Sequence, residues 1–229
     1  MKDEGIQARR ALAEEFYEDP TLLEEKFRRY TGLMAYYRCA MMEIETKFNV
    51  LNEEFSLRYD RNPIQDIQTR LKSPVSIYHK LQKKGVSLTA DAIEEHLCDV
   101  AGVRIICSFL ADVYLLADAL LGQDDITLIE KKDYIKNPKP NGYRSLHLIV
   151  TVPIFLAQEK RLMKVEIQIR TISMDSWASL EHQLCYKKDA EFTERMKSDL
   201  YRCAELASEL DEKMDGLRKL ANIDLFEGE

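Results

Sequence analysis

A chain of 229 residues, 45% hydrophobic and 32% charged with 8 Gly and 6 Pro, suits one sizeable globular core carrying extensions. Its net charge of −7 argues against wholesale nucleic-acid binding. No apolar run approaches the roughly 18–20 residues of a membrane span, and the start MKDEGIQARR lacks the apolar core of a signal peptide, so a cytoplasmic protein is expected.

In chain order, residues up to Asp19-Pro20 read as a short separate helix or a frayed end. Residues 21–60 read as one long helix, with Leu23, Phe27, Tyr30, Met34, Tyr37, Met41, Phe48, Leu51 and Phe55 mostly three or four apart. Gly32 inside it costs about 1 kcal/mol relative to Ala and marks a place for a kink. Arg61-Asn62-Pro63 breaks the pattern, and a short strand is expected around Ile67–Lys72. Ser73-Pro74 opens a helix that Gly85 closes, and Thr89 caps another through His96. Val100–Ser108 is a near-continuous apolar run, as in a strand buried on both faces. Ala111–Leu121 is helical; strands follow at Ile126–Ile129 and Ser145–Val152, separated by the loop Asn137–Gly142.

Leu162–Thr171 (LMKVEIQIRT) alternates Val165, Ile167 and Ile169 with Glu166, Gln168 and Arg170. Period-two alternation gives a half-buried strand whose open face carries an acid, an amide and a guanidinium in a row. Core packing alone does not call for that row. A helix over Ser173–Tyr186 comes next. The last helix, about Phe192–Leu220, carries Leu200, Cys203, Ala207, Leu210, Met214 and Leu217 in a heptad-like stripe suited to packing on a second helix, in this chain or in a neighbour. The order of elements predicts a mixed α/β core, 61–188, between helical flanks at 1–60 and 189–229.

Five cysteines (Cys39, Cys98, Cys107, Cys185, Cys203) are odd in number, scattered and never spaced C-x-x-C. This fits reduced thiols, not a disulfide framework or zinc finger. His182 and Cys185 form one H-x-x-C pair without a second to complete a metal site.

The acidic average hides two basic segments. Ile67–Ala90 holds five basic residues and no acid, and Lys131–His147 holds five more against Asp133 alone. A small polyanion in a local pocket is the natural partner for such segments. In the first, Arg70 and Lys72 share a strand face, while Ser76, Lys80 and Lys83 share a helix face. Cations, a hydroxyl and free backbone N–H groups converge there, as needed to hold a phosphate chain; a solvated basic face is the plainer alternative. Asp99 and Arg104 flank Ala101-Gly102 at the mouth of the apolar strand, where a carboxylate either ligates Mg²⁺ beside phosphate oxygens or pairs with the arginine. In KPNGYRSLH (139–147) the Asn-Gly turn precedes Tyr143, Ser145 and His147, which beside Lys139 suit a base and its phosphates. Glu166 supplies the second carboxylate that Mg²⁺-dependent phosphoryl transfer needs. Trp177, with Met174, Ala178 and Glu181 at helical spacing, reads as core. No G-x-x-x-x-G-K-[ST] is present, so a P-loop is excluded.

Taken together, RLKSPVSIYHKLQKK (70–84), DVAGVR (99–104), KPNGYRSLH (139–147) and VEIQIRTISMDSWASLEH (165–182) resemble the alarmone synthetases, the (p)ppGpp synthetases of the RelA/SpoT type that serve the stringent response. The length is similar to the small, single-domain branch. The resemblance implies a nucleotidyltransferase-like mixed sheet and Mg²⁺-dependent transfer of pyrophosphate from ATP to the 3′-hydroxyl of GTP or GDP, giving AMP and pppGpp or ppGpp. It implies that Arg70 and Arg104 sandwich adenine, with Lys72, Ser76, Lys80 and Lys83 around the ATP phosphates. Asp99 would hold Mg²⁺, Tyr143 would stack on guanine, and Lys132, Lys139 and His147 would face the acceptor's 5′-phosphates. Glu166 would meet the 3′-hydroxyl, as base or as second magnesium ligand, with Gln168 beside it. Small members are typically homotetramers. No His-Asp dipeptide of the family's hydrolase occurs, so synthesis without hydrolysis is expected.

Two departures stand out. Asp175 follows Met174 where some small synthetases carry Asn, and Gln65-Asp66-Ile67 lacks an aromatic found in some alarmone-activated members, so little or no activation by product is expected. The rival readings are another nucleotidyltransferase that releases pyrophosphate, and a degenerate nucleotide or RNA sensor. Two intact carboxylates among phosphate-binding cations argue against the sensor.

Overall fold

A computed structural model describes residues 20–59, 61–186 and 193–221. Helix α1 (Pro20–Tyr59) leads to β1 (Ile64–Leu71), α2 (Pro74–Lys83), α3 (Ala90–His96), β2 (Ala101–Cys107) and α4 (Leu110–Leu121). Then come β3 (Thr127–Asp133), β4 (Leu146–Phe155), β5 (Lys160–Thr171), α5 (Ile172–Tyr186) and α6 (Glu194–Leu220). The expected helix before Pro20 lies outside the described residues. The five strands form one mixed sheet in the order β1-β2-β5-β4-β3, in which only β2 and β5 run parallel. The mixed α/β architecture expected from the sequence is the one observed.

One face of this sheet is closed. Val103 and Ile105 of β2, Leu146, Leu148 and Val150 of β4, and Val165, Ile167 and Ile169 of β5 are all buried in the main core. Helix α1 lies along them with Leu33, Tyr37, Ala40, Ile44 and Phe48, whose three-to-four spacing puts a continuous apolar stripe on the sheet. Each such large side chain contributes about 1.5–3 kcal/mol when fully removed from water. With one face so committed, the alternate residues of β5 must stand on the other, and a one-residue slip would exchange the two sets.

Several boundaries differ from expectation for physical reasons. Helix α1 is continuous through Gly32, where an added Cβ would meet nothing within 4 Å, so no neighbour bends it there. Strand β1 starts three residues early because Ile64 pairs with Cys107. Strand β3 reaches Asp133, well past Ile129, because its ladder with β4 carries on through Lys131 and Lys132. Strand β4 runs through Pro153; β3 has already ended opposite Thr151, so the missing N–H faces an open edge. Tyr143 and Ser145 precede β4, which begins at Leu146.

The caps agree with the sequence. Ser73 accepts the Ser76 N–H at the start of α2, Thr89 accepts the Ala92 N–H at the start of α3, and Gly85 adopts φ +68 just past α2. Helix α6 packs on α5 through Leu200, the first residue of the anticipated stripe, and Ala204, which lies outside it; further along the stripe Leu210 and Leu217 are 52% and 57% exposed. Among the described residues no helix is long and apolar enough to cross a membrane.

Candidate active site

The open face of the sheet brings the sequence-distant motifs into two cross-strand rows. Arg70, Gly102, Glu166 and Ile149 lie side by side on β1, β2, β5 and β4. The neighbouring row is Gln68, Arg104, Gln168, His147 and Lys132. Residues paired across strands share a face, so Glu166 is flanked on one side by a residue without a side chain. The resulting gap separates Glu166 from Arg70.

Asp99 closes one end of that gap. The β1–β2 ladder continues one step further through Lys72 N–H to Val100 C=O, which sets Lys72 beside Asp99. Lys72 Nζ and Lys80 Nζ both donate to Asp99 Oδ2, at 2.9 and 2.7 Å. Burial pushes the Asp99 carboxyl up, but the hydrogen bonds and charges of Lys80 and Lys72 outweigh it and hold the group below its ordinary value. Asp99 Oδ1 is buried with no hydrogen-bond partner among the described residues.

Glu166 is held at both oxygens. Gln168 Nε2 donates to Oε2 at 3.2 Å, and His147 Nδ1 lies 3.5 Å from Oε1. Here too burial raises the carboxyl and the His147 and Gln168 contacts more than offset it, so Glu166 stays below the ordinary range. The nearby Asp99 charge pushes the other way, placing the two carboxylates within electrostatic reach.

Opposite the β1 side stands an aromatic wall. Tyr143 OH is 2.8 Å from His147 Nε2, and Tyr134 meets both rings edge-on. Lys139 Nζ sits 4.7 Å from the centroids of Tyr134 and Tyr143 alike. Arg170, only 4% exposed, is the brace beneath. Its Nη2 donates to Tyr143 OH and to Gln168 Oε1, its Nε to Ser145 Oγ, and its Nη1 to Asp175. Since Arg170 occupies an acceptor lone pair of Tyr143, the tyrosine proton is free for His147 Nε2; this assigns the remaining ring proton to Nδ1, facing Glu166.

Residues 69–191 match the region found in RelA and SpoT proteins. The chain is 45% identical over 183 residues to the GTP pyrophosphokinase YwaC of Bacillus subtilis, covering 80% of this chain and 87% of that one. The crystal structure of small alarmone synthetase 2 from Bacillus subtilis superposes with a TM-score of 0.75 at 43% identity, covering 83% of this chain and 98% of that one. Small alarmone synthetase 1 from the same organism, bound to its product pppGpp, gives 0.75 at 35% identity, with 84% and 97% covered.

The chain belongs to the RelA/SpoT family.

For a RelA/SpoT protein, most of the residues singled out in the sequence converge. Asp99, Lys72 and Lys80 touch; Ser76 lies at the N-terminus of α2, where its hydroxyl accepts from Ser73 at 2.9 Å. Arg70 is exposed beside the Gly102 gap, and Lys83 is exposed at the far end of α2; neither side chain makes an ion pair or hydrogen bond among the described residues. Arg104 is engaged with Gln68 and Asp175, its Nε buried and unpartnered among the described residues. Lys132, next to His147 in register, pairs with Glu130 at 2.9 Å. Gln168, Tyr143, His147 and Lys139 all line the wall beside Glu166.

Three features escaped the sequence reading. Arg170 was placed on the open face but is buried as a brace. Tyr134 falls between the expected strand Ile126–Ile129 and the loop Asn137–Gly142, and nothing local marked it as an aromatic partner of Tyr143. Asp175 stood out only as a departure from Asn; its pairing with Arg170 five residues back crosses a strand-to-helix junction that periodicity does not see.

The donor set suits a hard divalent cation. Among the described residues no three His, Cys, Asp or Glu side chains converge, so an all-protein cage is not available. Mg²⁺ needs only one or two carboxylates when phosphate oxygens and water complete its octahedron. The orphaned Asp99 Oδ1 and the Glu166 carboxylate fit that demand.

Proposed function

We propose that this protein is a GTP pyrophosphokinase, moving the β,γ-pyrophosphoryl group of ATP onto the 3′-hydroxyl of GTP or GDP. The 3′-oxygen bonds to the β-phosphorus, the bond from that phosphorus to the α,β-bridging oxygen breaks, and AMP leaves with the bridging oxygen. The products are pppGpp or ppGpp, and the hydroxyl proton passes to Glu166. The observation that carries this reading is Glu166, an ionised carboxylate held by His147 and Gln168 beside the Gly102 gap, with Asp99 and its two lysines at the gap's end.

On this reading Arg70 and Arg104 take the adenine, and Lys72, Ser76, Lys80 and Lys83 take the ATP phosphates. Tyr143 is the guanine platform, with Lys132, Lys139 and His147 toward the acceptor's 5′-phosphates and Gln168 steadying Glu166. Asp99 and Glu166 would hold Mg²⁺, which neutralises phosphate charge when bound. Binding of both nucleotides in register with Glu166 supplies the orientation on which phosphoryl transfer mainly depends. None of the four histidines is followed by Asp, which supports synthesis without hydrolysis by these residues.

We also propose a cytoplasmic homotetramer. The free state of all five cysteines suits a reducing compartment. The exposed apolar side chains Leu206, Leu210, Met214 and Leu217 on α6 supply a face for a second copy. A native mass near that of the 26.7 kDa chain itself would contradict the assembly.

The test of function is one incubation with Mg²⁺, ATP and GTP. AMP and a guanosine 3′-pyrophosphate should appear in equal amounts. Release of pyrophosphate would instead favour a nucleotidyl transfer, and ADP alone would contradict both.

A further inference from the structure

Asp175 Oδ1 is shared by two guanidinium groups, Arg170 Nη1 at 3.0 Å and Arg104 Nη1 at 3.3 Å. The two arginines stand on adjacent parallel strands but make their other contacts in opposite directions. Arg104 is on β2, in the row with Gln68 on the β1 side. Arg170 is on β5, and its other nitrogens hold the Tyr143 hydroxyl, Gln168 and Ser145. Its guanidinium also lies 5.1 Å from the Tyr143 ring centroid. All three charged groups are largely withdrawn from water: the side chains of Arg104, Arg170 and Asp175 are 31%, 5% and 15% exposed. Screening is therefore weak, and one carboxylate must neutralise two cations.

That sharing is strained electrostatically. Burial lowers the Arg104 pKa and the neighbouring Arg170 charge lowers it further, while Asp175 works in the opposite direction. Arg104 also keeps its buried Nε unpartnered among the described residues, and its hydrogen bond to Gln68 is long at 3.4 Å. Arg104 is thus the loosely held member of the trio and Arg170 the firmly held one.

We infer that Asp175 is a positioning residue that couples the ATP subsite to the acceptor subsite, through the chain Arg104, Asp175, Arg170, Tyr143. The inference rests on the pyrophosphokinase reading, in which Arg104 faces adenine and Tyr143 faces guanine. When adenine draws the Arg104 guanidinium onto its face, Asp175 is left to Arg170 alone. The undivided carboxylate fixes Arg170 more tightly, and Arg170 in turn fixes Tyr143 at the angle the guanine needs. ATP therefore prepares the acceptor platform, and by linkage guanine binding strengthens ATP binding by the same factor. The device favours a ternary complex over either binary one, which suits a transfer that requires both nucleotides at once.

The test is calorimetric titration of GDP into the full chain with Mg²⁺, alone and then saturated with an α,β-methylene analogue of ATP. The wild-type Kd for GDP should fall about 5-fold or more in the presence of the analogue. In Asp175→Asn, which keeps the shape but not the charge, the ratio of the two Kd values should collapse to about one. Asp175→Glu, which restores the charge, should recover part of it. A wild-type ratio near one, or a ratio that survives Asp175→Asn, overturns the coupling even while AMP and the guanosine 3′-pyrophosphate are formed. Failure of the wild type to bind either nucleotide or to form that product overturns the functional reading together with the coupling.

Discussion

His147 Nδ1 lies 3.5 Å from Glu166 Oε1, two residues along β5 from the direct cross-strand pair that His147 makes with Gln168. The diagonal contact is possible because Tyr143 holds the other ring nitrogen at 2.8 Å and turns the imidazole toward β5. His147 thereby counters the burial that would otherwise raise the Glu166 carboxyl. Replacing it by Phe keeps a ring in the wall but removes both nitrogens. The acid limb of the kcat–pH profile should then move to higher pH, as Glu166 loses its main partner. An unmoved limb would show that His147 does not set the charge of Glu166.

Gly102 is the gap in the row between Arg70 and Glu166. A Cβ there would meet only Arg70 O, at 3.5 Å, which is ordinary contact. Gly102→Val should therefore fold with little change in Tm, since a β-branched residue suits a strand. Its side chain would nevertheless stand where the donor phosphates must pass, and kcat/KM for ATP should fall by about 100-fold or more, a loss on the scale of misplaced reacting groups. Turnover near wild type would mean that the phosphates do not cross this row.

Gly142 ties the acceptor wall to the C-terminal helix. Its φ is +89, and an added Cβ would come within 2.6 Å of the Ala204 Cβ. Arg144 Nη1 also donates to Ala204 C=O at 3.0 Å, so the loop and α6 are fastened at two points. Gly142→Ala should cost about 1–3 kcal/mol through backbone strain and overpacking and raise KM for the acceptor more than for ATP. Adding Ala204→Gly relieves the clash and should bring the acceptor KM part of the way back. Equal effects on the two substrates would argue against a loop dedicated to one of them.

The half-buried Asp99 and the buried Asp211 should give opposite pH signatures. Asp99, lowered from 3.8 in spite of burial by its two lysines, contributes stability that is complete above its ordinary pKa and lost as pH falls through the lower folded value. Asp211 is raised from 3.8, chiefly by burial, and its hydrogen bond from Thr171 Oγ1 only partly offsets this. Its contribution is present below the ordinary value and lost as pH rises through the folded one. Denaturant titrations between pH 3 and 7 should show Asp99→Asn losing its deficit relative to wild type at the acid end. Asp211→Asn should gain relative to wild type toward neutral pH. Parallel curves for all three proteins would contradict both assignments.

Much of this site was legible from residue spacing. Alternation in LMKVEIQIRT assigned the buried and open faces of β5 correctly, because one face of a sheet must be apolar and the period is fixed at two. The Ser73-Pro74 and Thr89 starts of α2 and α3 were equally readable, since capping is local chemistry. Lys131 and Lys132 were not readable as strand: their extended form comes from pairing with Leu148 and His147, a tertiary contact. Arg170 looked like a site residue because its face was known, but its burial depends on Tyr143, Ser145 and Asp175 closing over it. The α6 stripe was seen, but within the chain only its start at Leu200 packs on α5, while Leu210, Met214 and Leu217 stay exposed.

The central claim is that Glu166 performs the transfer with Asp99 beside it, and Glu166→Gln tests it most directly. The amide keeps the size and the position but accepts no proton and ligates a hard cation poorly. With Mg²⁺, ATP and GTP, the variant should bind both nucleotides yet release neither AMP nor guanosine 3′-pyrophosphate above background, while the wild type forms them in equal amounts. Formation of that product by Glu166→Gln at a rate within about 10-fold of wild type, well short of the loss expected for removing a general base, would contradict the account.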